Sequence, residues 1–269
     1  MGSATTLPCL LGITLAALGG CSGELGTLLY LSAGFDRIYG MRDDGSIVQW
    51  GANNSMPEGP FLQVDTAREH CCALHEDGTI HCWGGWNNKG ERDPPAGTFS
   101  QIATGGTFGC ALDDAGAITC WGWEDVVELT PKGETFTQIS AGSAHVCGLR
   151  ENGTILCWGD NDEGEADPPD GTYTEVAAGG DHSCALDPDG KVHCWGEDTW
   201  GQSDPPGGTY VQVTTGNGHS CALEPDGEVK CWGGTETWPD GYYVRLSTTY
   251  RKQPRTPIPG ACLVGVTTG

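Results

Sequence analysis

Five cysteine pairs, Cys72/Cys82, Cys110/Cys120, Cys147/Cys157, Cys184/Cys194 and Cys221/Cys231, stand at one separation of ten positions. Paired thiols either oxidise to disulfides or ligate a metal. His182-x-Cys184 with Cys194 offers nitrogen and sulfur donors of the kind zinc takes, and the same set recurs around His70, His145 and His219. The spacing favours oxidation. Cys184 and Cys194 flank a Pro-Asp-Gly turn centred on Asp189, so in a hairpin they face each other as Leu186 faces Val192. Directly opposed antiparallel residues have Cα atoms about 4.5–5.5 Å apart, within or near disulfide range, whereas structural zinc takes short spacings such as Cys-x2-Cys. Each closed loop is worth roughly 2.8 kcal/mol in chain entropy. The histidines then read as buried hydrogen-bonding groups between modules, with Phe108 in that place in the third, and neither a metal nor a cofactor is expected. The first module has Tyr39 and Gln49 at the two Cys positions and should lack the bridge, while Cys71 and Cys262 are left over.

Other catalytic patterns are missing. There is no Gly-x-Ser-x-Gly elbow, phosphate loop or His-Glu-x-x-His helix, and the recurring Asp residues sit beside Gly in turns, so the chain reads as a non-enzyme. Asp160-Asn161-Asp162-Glu163-Gly164-Glu165 misses the EF-hand order of carboxylates before Gly and reads as a turn. Trp86, Trp123, Trp200 and Trp238 each follow the hairpin of their module, where equivalent loops share one rim with Glu124, Asp125, Glu128, Asp160, Asp162, Glu163, Glu197, Asp198 and Glu236. Trp anchors ringed by polar groups describe a partner-binding surface. The structural alternative is that each indole folds back over its own blade edge.

The elements that would carry these residues come from a repeat. Trp-Gly recurs at Trp50, Trp83, Trp121, Trp158, Trp195 and Trp232, at spacings of 33, 38, 37, 37 and 37. An aromatic-x-x-aliphatic pattern opens each module at Phe61/Val64, Phe99/Ile102, Phe136/Ile139, Tyr173/Val176, Tyr210/Val213 and Tyr243/Leu246, with Leu28/Leu31 a weaker first copy. In the fifth module, a strand opened by Tyr173 and Val176 breaks at Gly179-Gly180, and short strands over Cys184–Leu186 and Val192–Cys194 flank the turn. With 44 Gly and 16 Pro in 269 residues and no Gly-X-Y period, long helices and collagen are disfavoured. Small sheets of about 37 residues must stack, and radial closure removes their exposed edges, so the reading is all-β, a seven-bladed β-propeller rather than a linear solenoid. Seven first strands meet only six closing hairpins, so the seventh blade is incomplete or divergent. Arg245, Arg251, Lys252 and Arg255 crowd in where the repeat fails. The domain reading is a signal peptide over 1–20, a linker over 21–27, propeller repeats over 28–249 and a divergent segment over 250–269.

The apolar run from Leu7 to Leu18 is too short to span a bilayer and reads as a signal-peptide core. Leu18-Gly19-Gly20-Cys21 resembles the lipobox of bacterial lipoproteins, which makes Cys21 the candidate lipidated residue of an envelope or cell-surface protein, with membrane contact only through that anchor. The net charge of −23 would repel a phosphate backbone, which excludes nucleic acid as a partner. It steers the chain toward a protein with a basic face. Alternatives are a carbohydrate-binding propeller stacking sugars on the same Trp residues, or a structural surface protein without a discrete ligand.

Gly-x-x-His-x-Cys-Ala-Leu, then Asp-Gly, then Cys-Trp-Gly, followed by Asn161 and Gly164 or by Gly201-Gln202, resembles the regulator of chromosome condensation repeat from roughly Leu28 to Gly241. Repeat length and the Pro-x-Gly linkers resemble the short-repeat bacterial members, including the beta-lactamase inhibitor protein II propeller. The resemblance implies a seven-bladed propeller and, because the family spans exchange factors, chromatin binders and enzyme inhibitors, does not choose among functions.

Overall fold

The structure, a computed structural model, describes residues 28–33, 37–51, 55–68, 70–234, 245–247 and 263–265. The leader 1–20, Cys21, Trp238, Cys262 and nearly all of 250–269 lie outside these residues.

Six three-stranded antiparallel sheets follow one another: β1 (Leu28–Ala33), β2 (Arg37–Arg42) and β3 (Ile47–Gly51); β4 (Phe61–Thr66), β5 (His70–His75) and β6 (Ile80–Gly84); β7 (Gln101–Thr104), β8 (Phe108–Leu112) and β9 (Ile118–Gly122); β10 (Gln138–Ala141), β11 (His145–Leu149) and β12 (Ile155–Gly159); β13 (Glu175–Ala178), β14 (His182–Leu186) and β15 (Val192–Gly196); β16 (Gln212–Thr215), β17 (His219–Leu223) and β18 (Val229–Gly233). A short helix, α1 (Glu124–Leu129), leaves the third sheet. The last strands, β19 (Arg245–Ser247) and β20 (Leu263–Gly265), pair in parallel rather than as a meander. The first strands of the sheets are neighbours in the order β1, β4, β7, β10, β13, β16, β19, and β19 also lies beside β1. The result is a propeller with six complete three-stranded blades among the described residues.

Within a blade, burial follows position. The middle strand β14 is buried along its whole length because blades cover both its faces, while on β15 Val192 and Trp195 are buried and His193 is exposed. Cys184 lies opposite Cys194 and Leu186 opposite Val192. All five expected cysteine pairs are bonded, Cys72 to Cys82, Cys110 to Cys120, Cys147 to Cys157, Cys184 to Cys194 and Cys221 to Cys231, each tying a middle strand to its outer strand. Their Cα–Cα separations of 4.0–4.1 Å correct the expected spacing, because the bridge draws the opposed residues closer than the about 4.5–5.5 Å of unlinked strands. The two ends of a bridge also differ in environment. Every middle-strand cysteine is buried; on the outer strands Cys120 and Cys157 are buried, whereas Cys82, Cys194 and Cys231 are half-buried. In the first blade Tyr39 faces Gln49 instead.

The core lies between blades. One cluster joins Cys147, Leu149, Ile155 and Cys157 of the fourth module to Tyr173, Val176, Ala185 and Trp195 of the fifth, and the next repeats the arrangement one blade on. Each repeating Trp from Trp83 to Trp232 is therefore buried against the blade before it, whereas Trp50, on the first blade, is 38 % exposed. Truncating one buried Trp should cost about 3–5 kcal/mol.

Two devices lock neighbours together, one of backbone and one of side chains. The N–H of the opening aromatic bonds to the hairpin glycine of the preceding blade, as in Tyr173 to Gly153 (2.8 Å) and Tyr210 to Gly190 (2.7 Å). Gly190 has φ +79°, and a Cβ there would meet Thr209 and Tyr210 within 3 Å, so the site needs glycine on both counts. The first strands also carry a side-chain clasp. Gln63 Nε2 donates to Ile102 O (2.7 Å) and Oε1 accepts from Ile102 N (2.9 Å). Gln101 does the same to Ile139, and Gln138 to Val176. Asp65 Oδ2 accepts from Thr104 N (2.7 Å) and Ser140 Oγ from Ala178 N (3.0 Å). An open edge strand exposes unpaired N–H and C=O groups; here the preceding blade's side chains bond to them.

Candidate functional site

In a three-stranded meander the loop leaving the third strand emerges at the same end as the connection between the first two. Backbone bonds from Trp123 N to Thr107 O (3.1 Å), Asp160 N to Ala144 O (3.0 Å) and Glu197 N to Asp181 O (2.8 Å) hold the two sets together. This end is the rim that carries the candidate Trp residues.

Three of its loops share one turn. Asn87, Asn161 and Asp198 accept through their side chains from Arg92 N, Ala166 N and Ser203 N, each at 2.9 Å. Glu91, Glu165 and Gln202 point inward, buried, and their carboxylate or amide oxygens cap Lys89 N, Glu163 N and Trp200 N. Gly90, Gly164 and Gly201 turn the chain at φ +82°, +84° and +75°. The carbonyls of Glu91, Glu165 and Gln202 accept the indole N–H of the next blade's Trp121, Trp195 and Trp232 at 3.0, 2.8 and 2.8 Å. The acidic run Asp160–Glu165 is thus a structural plug. Asn161, Gly164 and Gly201-Gln202 belong to the repeat pattern in the sequence, but their role needs the next blade.

The third module departs from this. Val127 stands where the turn needs a positive-φ glycine, the segment forms α1, and Val126 is buried while Glu128 is exposed. Trp158, in the next blade, is buried and its Nε1 has no hydrogen-bond partner among the described residues. Such a loss is worth about 1–3 kcal/mol.

The histidines sit between blades. His145 Nε2 lies 2.7 Å from Ser183 Oγ and His182 Nε2 2.8 Å from Ser220 Oγ, and those hydroxyls donate to Glu165 O and Gln202 O. Burial holds His145 at about 3 and His70, His182 and His219 at about 4, so all four are neutral at physiological pH. The side chain one blade on matches three of these positions: His145 and His182 face a serine, and Phe108, not His, precedes a blade that carries Val146 in place of it.

Trp86 is 68 % exposed and Trp200 53 %, each on the rim, whereas Trp123 is half-buried against the cluster of Phe108, Val126, Phe136 and Trp158. Trp123 therefore packs onto the core cluster that joins its own blade to the next. On the fourth and fifth modules carboxylates crowd this rim, whereas the loop of Trp86 carries Lys89 and Arg92. Burial, then the Glu197 and Asp160 charges, raise the Asp181 carboxyl, and burial, with smaller contributions from Asp160 and Asp181, raises that of Glu165. Among the described residues no cation pairs with Asp160, Asp181, Glu197, Glu124, Asp125 or Glu128. The remaining acidic group, Glu224, Asp226 and Glu228, sits in a hairpin at the opposite end. The arrangement offers exposed indoles and uncompensated negative charge, the chemistry of recognition.

The regulator of chromosome condensation (RCC1) repeat profile matches residues 63–91, 136–165, 173–202 and 210–235. These modules are RCC1 repeats. The first three matches run from the clasp strand through the Trp-Gly to the plug, so the RCC1 repeat unit includes the loop as well as the blade. No curated protein sequence matches the chain. Among solved structures, the entire ectodomain of the receptor kinase CR4 from Physcomitrella patens aligns with TM-score 0.71 at 23 % identity, over 90 % of this chain and 68 % of that one. The CRINKLY WD40 ectodomain of the receptor kinase ACR4 from Arabidopsis thaliana aligns with TM-score 0.66 at 25 % identity, over 80 % and 82 %. Prp20p from Saccharomyces cerevisiae, described with its binding to Gsp1p and histones, aligns with TM-score 0.64 at 17 % identity, over 76 % and 71 %. The likeness to CR4 and Prp20p is one of fold. Among the described residues no helix is long and apolar enough to cross a membrane.

Proposed function

We propose that the chain is an exported, non-catalytic recognition module that binds a protein partner with a basic face through its propeller rim. The exposure of Trp86 and Trp200 carries this reading, because large indoles left in water on a rim that also carries uncompensated carboxylates fit an anchor-and-rim interface. Export is supported by the five disulfides, which persist in oxidising compartments, and by the likeness to the ACR4 receptor ectodomain. The lipobox-like Cys21 would tether the module to a bacterial envelope. Its acidity opposes nucleic-acid binding.

The test is capture on immobilised residues 25–269 from envelope and medium extracts, compared with a Trp86→Ala/Trp200→Ala variant and read by mass spectrometry for proteins and glycans. A protein retained by the parent and lost in the variant supports the reading. A glycan lost in the same way would replace it with sugar stacking on the indoles, and capture indifferent to both indoles would remove the rim from consideration.

A further inference from the structure

We infer that the third module's loop, residues 123–135, is the docking element of the rim, and that it takes a protein segment carrying lysine or arginine around an apolar side chain. The inference rests on the rim reading above and narrows it to one loop and one chemistry. Among the fully described loops that follow a Trp-Gly, those of the second, fourth and fifth modules form the plug; only the third does not. The difference is not one of length, since Trp121 to Phe136 and Trp158 to Tyr173 both span fifteen positions. It comes from residue type. Val127 replaces the glycine that turns the plug at φ +84° in the fourth module, and a β-branched residue is strained there.

The molecule thereby forgoes a bond that it makes elsewhere. Trp121, Trp195 and Trp232 all donate to a plug carbonyl, and Trp158, directly after α1, does not. Departures from a self-consistent repeat that lower stability mark places shaped for something other than folding. What the departure creates is exposed: Leu129 stands 56 % in solvent, flanked by Glu124, Asp125 and Glu128, none of which meets a cation among the described residues. Lys132 is exposed at the far end of the loop, and Glu134 is already paired with Arg150 at 2.9 Å. An apolar side chain within three unneutralised carboxylates is complementary to a basic segment with an apolar residue of its own, and not to an acidic peptide.

A chimera carrying residues 160–166 in place of 123–129 tests this, because it installs the plug without changing loop length and makes the loop more acidic by one formal charge. The probes are a synthetic lysine–leucine peptide and its glutamate–leucine counterpart, read by fluorescence anisotropy at physiological salt. The parent should bind the basic peptide only. The chimera should lose at least roughly tenfold in affinity despite its extra negative charge. A second variant, Glu124→Gln/Leu129→Ser, changes only exposed side chains and should lose binding at unchanged melting temperature. Binding within about twofold of the parent in either variant overturns the inference, as does failure of the parent to bind the basic peptide. If Trp86→Ala/Trp200→Ala loses the peptide while both loop variants keep it, the rim reading stands and the loop inference falls; if all variants keep it, both fall.

Discussion

Two of the buried histidines meet a hydroxyl one blade on. His145 and His182 meet serine hydroxyls, and Phe108 precedes Val146. Burial depresses all four inter-blade histidines from 6.5 to about 3 or 4, so below about 6.5 the unfolded chain takes up protons that the native state refuses. Stability should therefore fall as pH drops through that window, each histidine adding up to about 1.4 kcal/mol per pH unit. Asp65 acts in the opposite sense. Burial outweighs its bonds from Thr104 and Thr66 and raises it from 3.8 to about 6, so between those values the native state holds a proton that the unfolded chain releases. The net expectation is a melting temperature that declines from neutral pH toward pH 4.5, and a flat profile would contradict it. His145→Phe/Ser183→Val, which copies the Phe108/Val146 contact, should keep neutral-pH stability and flatten the decline by about one proton.

At the scale of the blade, stability is distributed unevenly because the staples are. Five blades hold a middle-to-outer-strand disulfide and the first holds Tyr39 opposite Gln49, whose partial compensation is the Tyr39 hydroxyl accepting from Trp83 Nε1 at 3.1 Å. Replacing Cys147 and Cys157 together by alanine should cost roughly 2–4 kcal/mol. Native-state hydrogen exchange should open β2 and β3 before the corresponding strands of the other five blades. Protection of β2–β3 equal to that of β14–β15 would show that inter-blade packing, rather than the staple, sets local stability. The amide clasp was visible in the sequence as glutamine at 63, 101 and 138, two residues after the opening aromatic. Its meaning was not, because a glutamine beside an aliphatic residue gives no sign that it bonds to a strand 38 or 39 positions away.

Across the whole molecule, one sign of charge dominates, and the rim's carboxylates meet no compensating cation among the described residues. Association with a basic partner should therefore slow markedly between about 50 and 500 mM salt, mainly through the on-rate, as surface-plasmon measurements would show. The amino-acid sequence alone determined the repeat period, the strand positions, the hairpin register and the cysteine pairing, from Cys72 with Cys82 to Cys221 with Cys231. All of these are set by neighbours within about a dozen residues and by the alternation of a strand. Only the tertiary structure decided which tryptophans reach solvent, what the histidines bond to, that the acidic run Asp160–Glu165 is a plug, and that the third loop abandons it. Those outcomes depend on the blade before or after, and a residue's exposure is fixed by what a neighbouring repeat lays against it rather than by its own type.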